Sequence, residues 1–298
     1  MIPRLGMPKL NYERIQAPHW PTSDELIKCY WNELNPDYAN DLRLRVLYDP
    51  GYHWSLQPLL RHAFPGIENI QINYSTQADA DIFVLTFLNG KINGTYLELG
   101  AEAPTDSNNT FLLTKFGWHG ISVDIDHTCV PLWADTRPES IFMCRDATTL
   151  DYIKLFKQNN FSSQIDFLQI DIDSGPDQTQ ILLDSIPFDS YRFSVIMAEH
   201  NFGLTDNHTK YIIENKLLSY GYKKIANNIV FKDYDQDQWI PFEDWWIDPL
   251  VIDKEIQEKF SSGMQDKTWS FELLCKPNSL DEINQAKTLK NIWKRKLK

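Results

Sequence analysis

The sequence predicts an α/β fold built on a doubly wound, mostly parallel sheet, and three observations predict it. From Thr95 onward, short apolar runs alternate with amphipathic stretches, the pattern of successive βαβ units. Four successive runs also end in acids, which suits the open rim of such a sheet better than its core. The chain is long enough as well: 298 residues that are 42% hydrophobic and 13% aromatic can fill a sizeable core.

The elements follow in order. Residues 1–90 are rich in aromatics and proline, with helices expected over Ser23–Asn32 and Gln77–Leu88, and they read as a leading cap. The expected strands are Thr95–Leu99, Gly120–Ile125, Ile141–Arg145, Asp166–Ile170 and Phe193–Ala198. Between and after them lie expected helices at Asn109–Phe116, Cys129–Asp135, Leu150–Gln158, Thr179–Asp184 and Asn207–Tyr220. Two further strands, Tyr222–Phe231 and Trp269–Cys275, are expected near the end, joined by an aromatic and acidic insertion over 232–267. The expected domains are therefore the cap over 1–90, a sheet domain over 91–276 and a basic tail over 277–298.

Charge narrows the partners. A net charge of −12 disfavours general nucleic-acid binding, which needs clustered lysine and arginine to neutralise phosphates. The tail is the exception: Lys287, Lys290, Lys294, Arg295, Lys296 and Lys298 are interleaved with Leu289, Ile292, Trp293 and Leu297. This is a docked C-terminal helix or an amphipathic one in weak contact with an anionic surface. No apolar run is long enough to span a membrane, and Met1 to Trp20 lacks the layout of a secretory signal. Cys29, Cys129, Cys144 and Cys275 form no CxxC pair, so a reducing, cytoplasmic setting is expected.

In an open parallel sheet, ligands bind beyond the carboxyl ends of the strands. The first of these ends is the turn Leu99-Gly100-Ala101, with Ser107 to Thr110 placed to cap a helix. It lacks the second and third glycines that a dinucleotide pyrophosphate needs, which counts against a nicotinamide oxidoreductase. S-adenosyl-L-methionine suits the turn better, its carboxylate meeting the turn and the helix start. Glu98 or the backbone would meet its ammonium and Asp124 its ribose hydroxyls, with Asp146, beside Ala147, at the adenine amino group. A plain structural strand-turn-helix is the competing reading of the turn alone.

Several motifs then occur in a familiar order: Tyr96-Leu97-Glu98-Leu99-Gly100-Ala101, Asn109-Thr110, Phe116 to Ile121, Asp166 to Asp173, Glu199-His200-Asn201, Gly221-Tyr222 and Phe242-Glu243-Asp244-Trp245-Trp246. Together they resemble the FkbM-type S-adenosylmethionine-dependent O-methyltransferases over roughly residues 77–250. The resemblance implies a class I methyltransferase, Rossmann-like fold with a seven-stranded sheet and a reversed last strand. It also implies methylation of a hydroxyl of a sugar, a glycoside or another small natural product, with Gly100, Ala101, Asn109 and Asp171 among the cofactor contacts. One departure is visible: the family's Asp-x-Glu-Gly reads Asp171-Ile172-Asp173-Ser174-Gly175, a shortened acid with one residue inserted before the glycine.

Methyl transfer to a hydroxyl needs a general base, a metal that lowers the hydroxyl pKa, or both. Asp171, Asp173, Glu199 and His200 follow neighbouring strands and together suit Mg²⁺ or another divalent cation. A similarity to macrocin-type sugar methyltransferases makes Asp171 and Glu199 the metal ligands, with Asp173 or His200 as the base. The alternative is metal-free, with Glu199 orienting His200. If the insertion overhangs the pocket, Glu243, Asp244, Trp245 and Trp246 would bind a sugar, indoles against the ring face and carboxylates on its hydroxyls. The competing reading makes the tryptophans core anchors. Tyr52-His53-Trp54 of the cap is a further candidate substrate contact. A non-catalytic binding module of the same fold stands as the alternative from another functional class.

Overall fold

A computed structural model describes residues 78, 80–88, 90–105, 107–202, 208–233, 238–260 and 268. They belong to one of two compact units into which the chain divides. The helix expected over 23–32, Tyr52 to Trp54, the strand expected over 269–275 and the basic tail lie outside the described residues.

Seven strands form one sheet: β1 Thr95–Leu99, β2 His119–Asp124, β3 Ile141–Cys144, β4 Gln164–Ile170, β5 Arg192–Glu199, β6 Lys223–Asp233 and β7 Gln238–Ile247. Their order is β3-β2-β1-β4-β5-β7-β6. Strands β1 to β5 pair in parallel, and β7 runs antiparallel to both its neighbours. It is therefore the one reversed strand of this sheet, as the resemblance implies. The helices are α1 Ala80–Phe87, α2 Phe111–Lys115, α3 Val130–Thr136, α4 Tyr152–Gln158, α5 Pro176–Ser185, α6 His208–Ser219 and α7 Lys254–Lys259. Among the described residues, no helix is long and apolar enough to cross a membrane.

Alternation along the strands sorts side chains onto two faces. Leu97, Leu99, Ile121, Val123, Leu168, Ile170, Ile196 and Trp246 build one core with Tyr152 and Phe156 of α4, Leu182 and Leu183 of α5, and Ile213 and Leu217 of α6. Each large apolar side chain buried there contributes about 1.5–3 kcal/mol. The opposite face carries Tyr96, Glu98, Gln169, Met197 and Trp245, all buried. Phe83 of α1 stacks on Trp245 with ring centroids 4.3 Å apart.

The five parallel strands fall within a residue or two of their expected bounds, but the end of the sheet departs from expectation. The expected insertion over 232–267 contains β7, which inserts between β5 and β6. Two features disguise this strand in the sequence. Asp244 sits mid-strand, where a bare buried carboxylate is costly, yet Lys210 and Lys224 lie beside it in the fold. Pro241 cannot donate to a ladder, but the β5 pairing ends at Glu199 opposite Glu243, so Pro241 pairs only with Val230 of β6. Thr268 makes a single parallel bridge to Ile229.

Candidate active site

Between β1 and β4 the chain's progress across the sheet reverses, the place where such sheets open a ligand crevice. Gly100 closes β1 there at φ +85°, and a Cβ on it would lie 1.5 Å from the carbonyl oxygen of Asp171. Only glycine permits both the left-handed turn and that approach. The N–H groups of Gly100 and Ala101 both donate to the Val123 carbonyl, at 2.9 and 3.0 Å, while Asp171 N–H donates to the Leu99 carbonyl at 2.8 Å. The turn after β1 is thus sewn to the ends of β2 and β4.

The following loop is held by Asn108, from the expected cap, and by Trp133 and Arg137, which the sequence did not single out. Trp133 Nε1–H donates to the Glu102 carbonyl at 2.7 Å, and Asn108 Nδ2–H to the Ala101 carbonyl at 3.2 Å. The buried guanidinium of Arg137 donates to the Pro104 carbonyl, Asn108 Oδ1, Thr110 Oγ1 and the Tyr96 hydroxyl, and lies 4.4 Å over the Trp133 ring. Asn108 makes a local turn, accepting from Thr110 N–H at 3.1 Å, but the expected cap is not made: Thr110, at the start of α2, forms no side-chain cap hydrogen bond. Asn109 is buried beside it.

Glu98 departs from its expected role at a ligand ammonium. It is 2% exposed, and its Oε2 accepts from Ser122 Oγ at 2.6 Å and Thr110 Oγ1 at 3.0 Å. Burial pushes its carboxyl up, partly offset by Arg137 and these hydroxyls. A strand residue two before the turn points into the packed face, and its partners are internal. Asp124 instead stands at the end of β2, with Oδ2 accepting Glu102 N–H and Oδ1 accepting Asp126 N–H, both at 2.7 Å. Asp146 is exposed after β3, its Oδ1 accepting from Thr148 N–H at 2.8 Å and Thr148 Oγ1 at 2.7 Å. Ala147 is buried, its carbonyl accepting from the Tyr152 hydroxyl at 2.8 Å.

The ends of β4 and β5 bring acids together. One carboxylate oxygen from each of Asp171, Asp173 and Glu199 lies within 4.8 Å of the others. Across the β5–β7 ladder Glu243 stands opposite Glu199, adding a fourth acid on the same face. Burial, with Asp173 and Glu243 as like charges, pushes the Glu199 carboxyl up to about 8. Burial, with Asp171 and Asp244 adding to it, does the same to Glu243, also to about 8. An all-oxygen donor set of carboxylates suits a hard divalent cation, which would relieve the mutual repulsion. The residues present fit such an ion. Asp173 and Asn201 both adopt left-handed backbone, at φ +44° and +50°, and Asn201 Nδ2–H donates to Asp173 Oδ1 at 3.3 Å.

His200 does not serve as a base for a bound acceptor. Its Nδ1 accepts from Phe202 N–H at 3.1 Å, so the proton sits on Nε2, which lies 3.2 Å from Asp244 Oδ1 without aiming its N–H along that line. The side chain is buried, and burial holds the imidazole below its ordinary pKa, with Asp244 working the other way. It faces the sheet side opposite Glu199, as the next residue on an extended strand must.

The expected sugar contacts divide for the same reason. Trp245 and Trp246 are fully buried on opposite faces of an interior strand, so neither indole can stack on a sugar. Trp245 Nε1–H donates to Glu243 Oε1 at 2.7 Å, which leaves Glu243 on the side of the acid cluster. Asp244 lies on the other side, accepting from Lys224 Nζ at 2.7 Å, Lys210 Nζ at 3.3 Å and Asn228 N–H at 2.7 Å. Both departures follow from β7 being an interior strand and not part of an overhanging insertion.

No family model matches the chain, and no curated protein matches its sequence. Solved structures give remote likenesses. A TehB-like SAM-dependent methyltransferase from Corynebacterium glutamicum is 12% identical, with 64% of this chain and 97% of that chain covered and a TM-score of 0.36. The 1,6-didemethyltoxoflavin-N1-methyltransferase of Burkholderia thailandensis, solved with 1,6-didemethyltoxoflavin and S-adenosylhomocysteine bound, is 12% identical over 66% of this chain and 88% of that chain, at a TM-score of 0.39. The strand order, with only β7 of the sheet reversed, makes the fold that of the class I methyltransferases.

Proposed function

We propose that this chain is an S-adenosylmethionine-dependent O-methyltransferase of the FkbM type, acting with a divalent cation on an uncharged hydroxyl of a sugar or glycoside. The observation that carries the reading is the convergence of Asp171, Asp173 and Glu199 beside the Gly100 turn, at the reversal point of the sheet. A methyl acceptor and a methyl donor must meet at one place, and here the acids and the cofactor-type turn share a backbone contact.

The roles follow from placement. The turn at Gly100 and Ala101 presents backbone to the amino-acid end of the donor, Asp124 is fixed to accept from its ribose, and Asp146 and Ala147 border its base. S-adenosylmethionine supplies an electrophilic sulfonium methyl. Asp171 and Glu199 would hold Mg²⁺, which lowers the pKa of a nearby hydroxyl. Asp173, the exposed member of the cluster, would take the hydroxyl proton on its carboxylate as the oxygen bonds to the methyl carbon and the S–CH3 bond breaks, its electron pair returning to sulfur to leave S-adenosylhomocysteine. Acids rather than cations form the cluster, so the acceptor side disfavours nucleic acid and favours a neutral polyol.

Titration calorimetry with S-adenosylmethionine and S-adenosylhomocysteine tests the reading first. Micromolar binding of either is expected, and binding of neither would leave a non-catalytic module of the same fold. Incubation with a panel of glycans, read by mass spectrometry for a gain of one methyl group, then tests the acceptor class. Turnover should fall at least tenfold with EDTA and return with Mg²⁺, and full turnover in EDTA would remove the metal.

A further inference from the structure

We infer that Asn201 is the positioning residue of the acid cluster: its side-chain amide ties Asp173 to the end of β5, and a buried network on the opposite side of the sheet holds it there. The inference rests on the metal reading above and adds a residue to it.

The geometry runs from the buried network outward. Asp244 is 1% exposed and gathers Lys210, Lys224 and the Asn228 N–H around its carboxylate, with His200 Nε2 at 3.2 Å. Lys210 Nζ also donates to Asn227 Oδ1 and Asn228 Oδ1, so the network ties α6 to the β6–β7 hairpin. The imidazole set against this network accepts from Phe202 N–H and closes a three-residue turn, His200-Asn201-Phe202. The same turn is pinned from behind, because the N–H groups of His200 and Asn201 both donate to the Phe242 carbonyl, at 2.7 and 2.9 Å.

These constraints place Asn201 in left-handed backbone, a conformation asparagine tolerates better than most side chains. From there its amide donates to Asp173 Oδ1 at 3.3 Å. One neutral donor just past β5 thereby holds a carboxylate that follows β4. Asp173 gains most, since it is exposed and lies in a loop with no strand pairing of its own. Asn201 thus sets the separation of the oxygens that a cation must meet.

Two substitutions separate this role from mere scaffolding. Asn201→Gly keeps the backbone conformation and removes only the amide. His200→Asn keeps an acceptor for Phe202 N–H, in the manner of an Asx turn, whereas His200→Ala loses it. Titration calorimetry of the metal alone, Mn²⁺ into the full chain without cofactor, is expected to show about five- to tenfold weaker binding for Asn201→Gly and for His200→Ala, and near-normal binding for His200→Asn. The unfolding temperature of Asn201→Gly should stay within about 2 °C of the parent. Unchanged Mn²⁺ affinity in Asn201→Gly, with the parent chain binding, overturns the inference and leaves the metal reading intact. A parent chain that binds no Mn²⁺ overturns both.

Discussion

Glu243 and Asp244 are neighbours on β7, both carboxylic acids and both buried, yet their surroundings are opposite. Asp244 looks onto the side of the sheet where Lys210, Lys224, His200 and the Asn228 N–H converge. Burial alone would raise its carboxyl, but His200 and the two lysines more than reverse this and hold it well below the ordinary carboxylate range. Glu243 looks onto the other side, where the charged groups that act on it are Asp171 and Asp244, and its carboxyl is pushed up to about 8. The protein has completed one polar cluster with its own cations and has built the other from acids. A completed cluster is scaffold. An uncompensated one retains the electrostatic drive to bind something positive, which is why the function is read on the Glu243 side and the architecture on the Asp244 side.

Removing the scaffold acid should break the comparison most severely. Asp244→Ala leaves Lys210 and Lys224 buried without their carboxylate, and losing one partner of such a pair costs about 3–5 kcal/mol. Urea unfolding of the variant should show that loss, and a change below about 1 kcal/mol would mean that the network is not what holds the β6–β7 hairpin against α6. Gly100→Ala comes next. The left-handed turn alone costs about 1–2 kcal/mol for a Cβ, and the clash with the Asp171 carbonyl forces β1 and β4 apart at their ends. The expected result is a stability loss of about 2–3 kcal/mol together with loss of S-adenosylmethionine binding in calorimetry. Retained affinity would separate the turn from the cofactor site.

The contrast between the two acids also explains what the sequence reveals and what it hides. Strands β1, β2, β4 and β5 are legible because their middles are buried and each reads as a short apolar run, and the edge strand β3 is legible as a short apolar run alone. Asp171 and Glu199 are legible because strand ends follow directly from strand positions. β7 is not, since its Asp244 looks like a surface residue until Lys210, 34 residues away, and Lys224, 20 residues away, are folded against it. Once β7 is taken for a loop, Trp245 and Trp246 look available when they are core. His200 fails as a base for a related reason: adjacent strand-end residues face opposite sides, so Glu199 and His200 cannot share one pocket. Asn201 carries a weak signal, an asparagine just past a strand end. Arg137 carries none, because its partners come from three separate segments.

The smallest expected effect sharpens the comparison most directly. The Glu243 carboxyl has a folded pKa of about 8 against an ordinary value of 4.5, so across that interval the folded chain holds a proton that the unfolded chain has released. Stability therefore falls as pH rises through the interval and levels off above 8, and Glu199, displaced in the same direction, adds to the slope. His200 acts in the opposite sense, being held neutral in the fold, but its contribution is complete above pH 6.5. The informative window is thus pH 6.5 to 8. Glu243→Gln keeps an acceptor for Trp245 N–H while removing the titration. The variant should unfold with the parent near pH 5 and exceed it by about 1 kcal/mol at pH 8, roughly one unit of the displacement surviving relaxation of the site. Mn²⁺ should narrow the difference, because the cation offsets in the parent the repulsion that glutamine removes in the variant. A difference that stays flat from pH 5 to 8 would place Glu243 among neutralised acids like Asp244, and β7 would then have two scaffold faces instead of one.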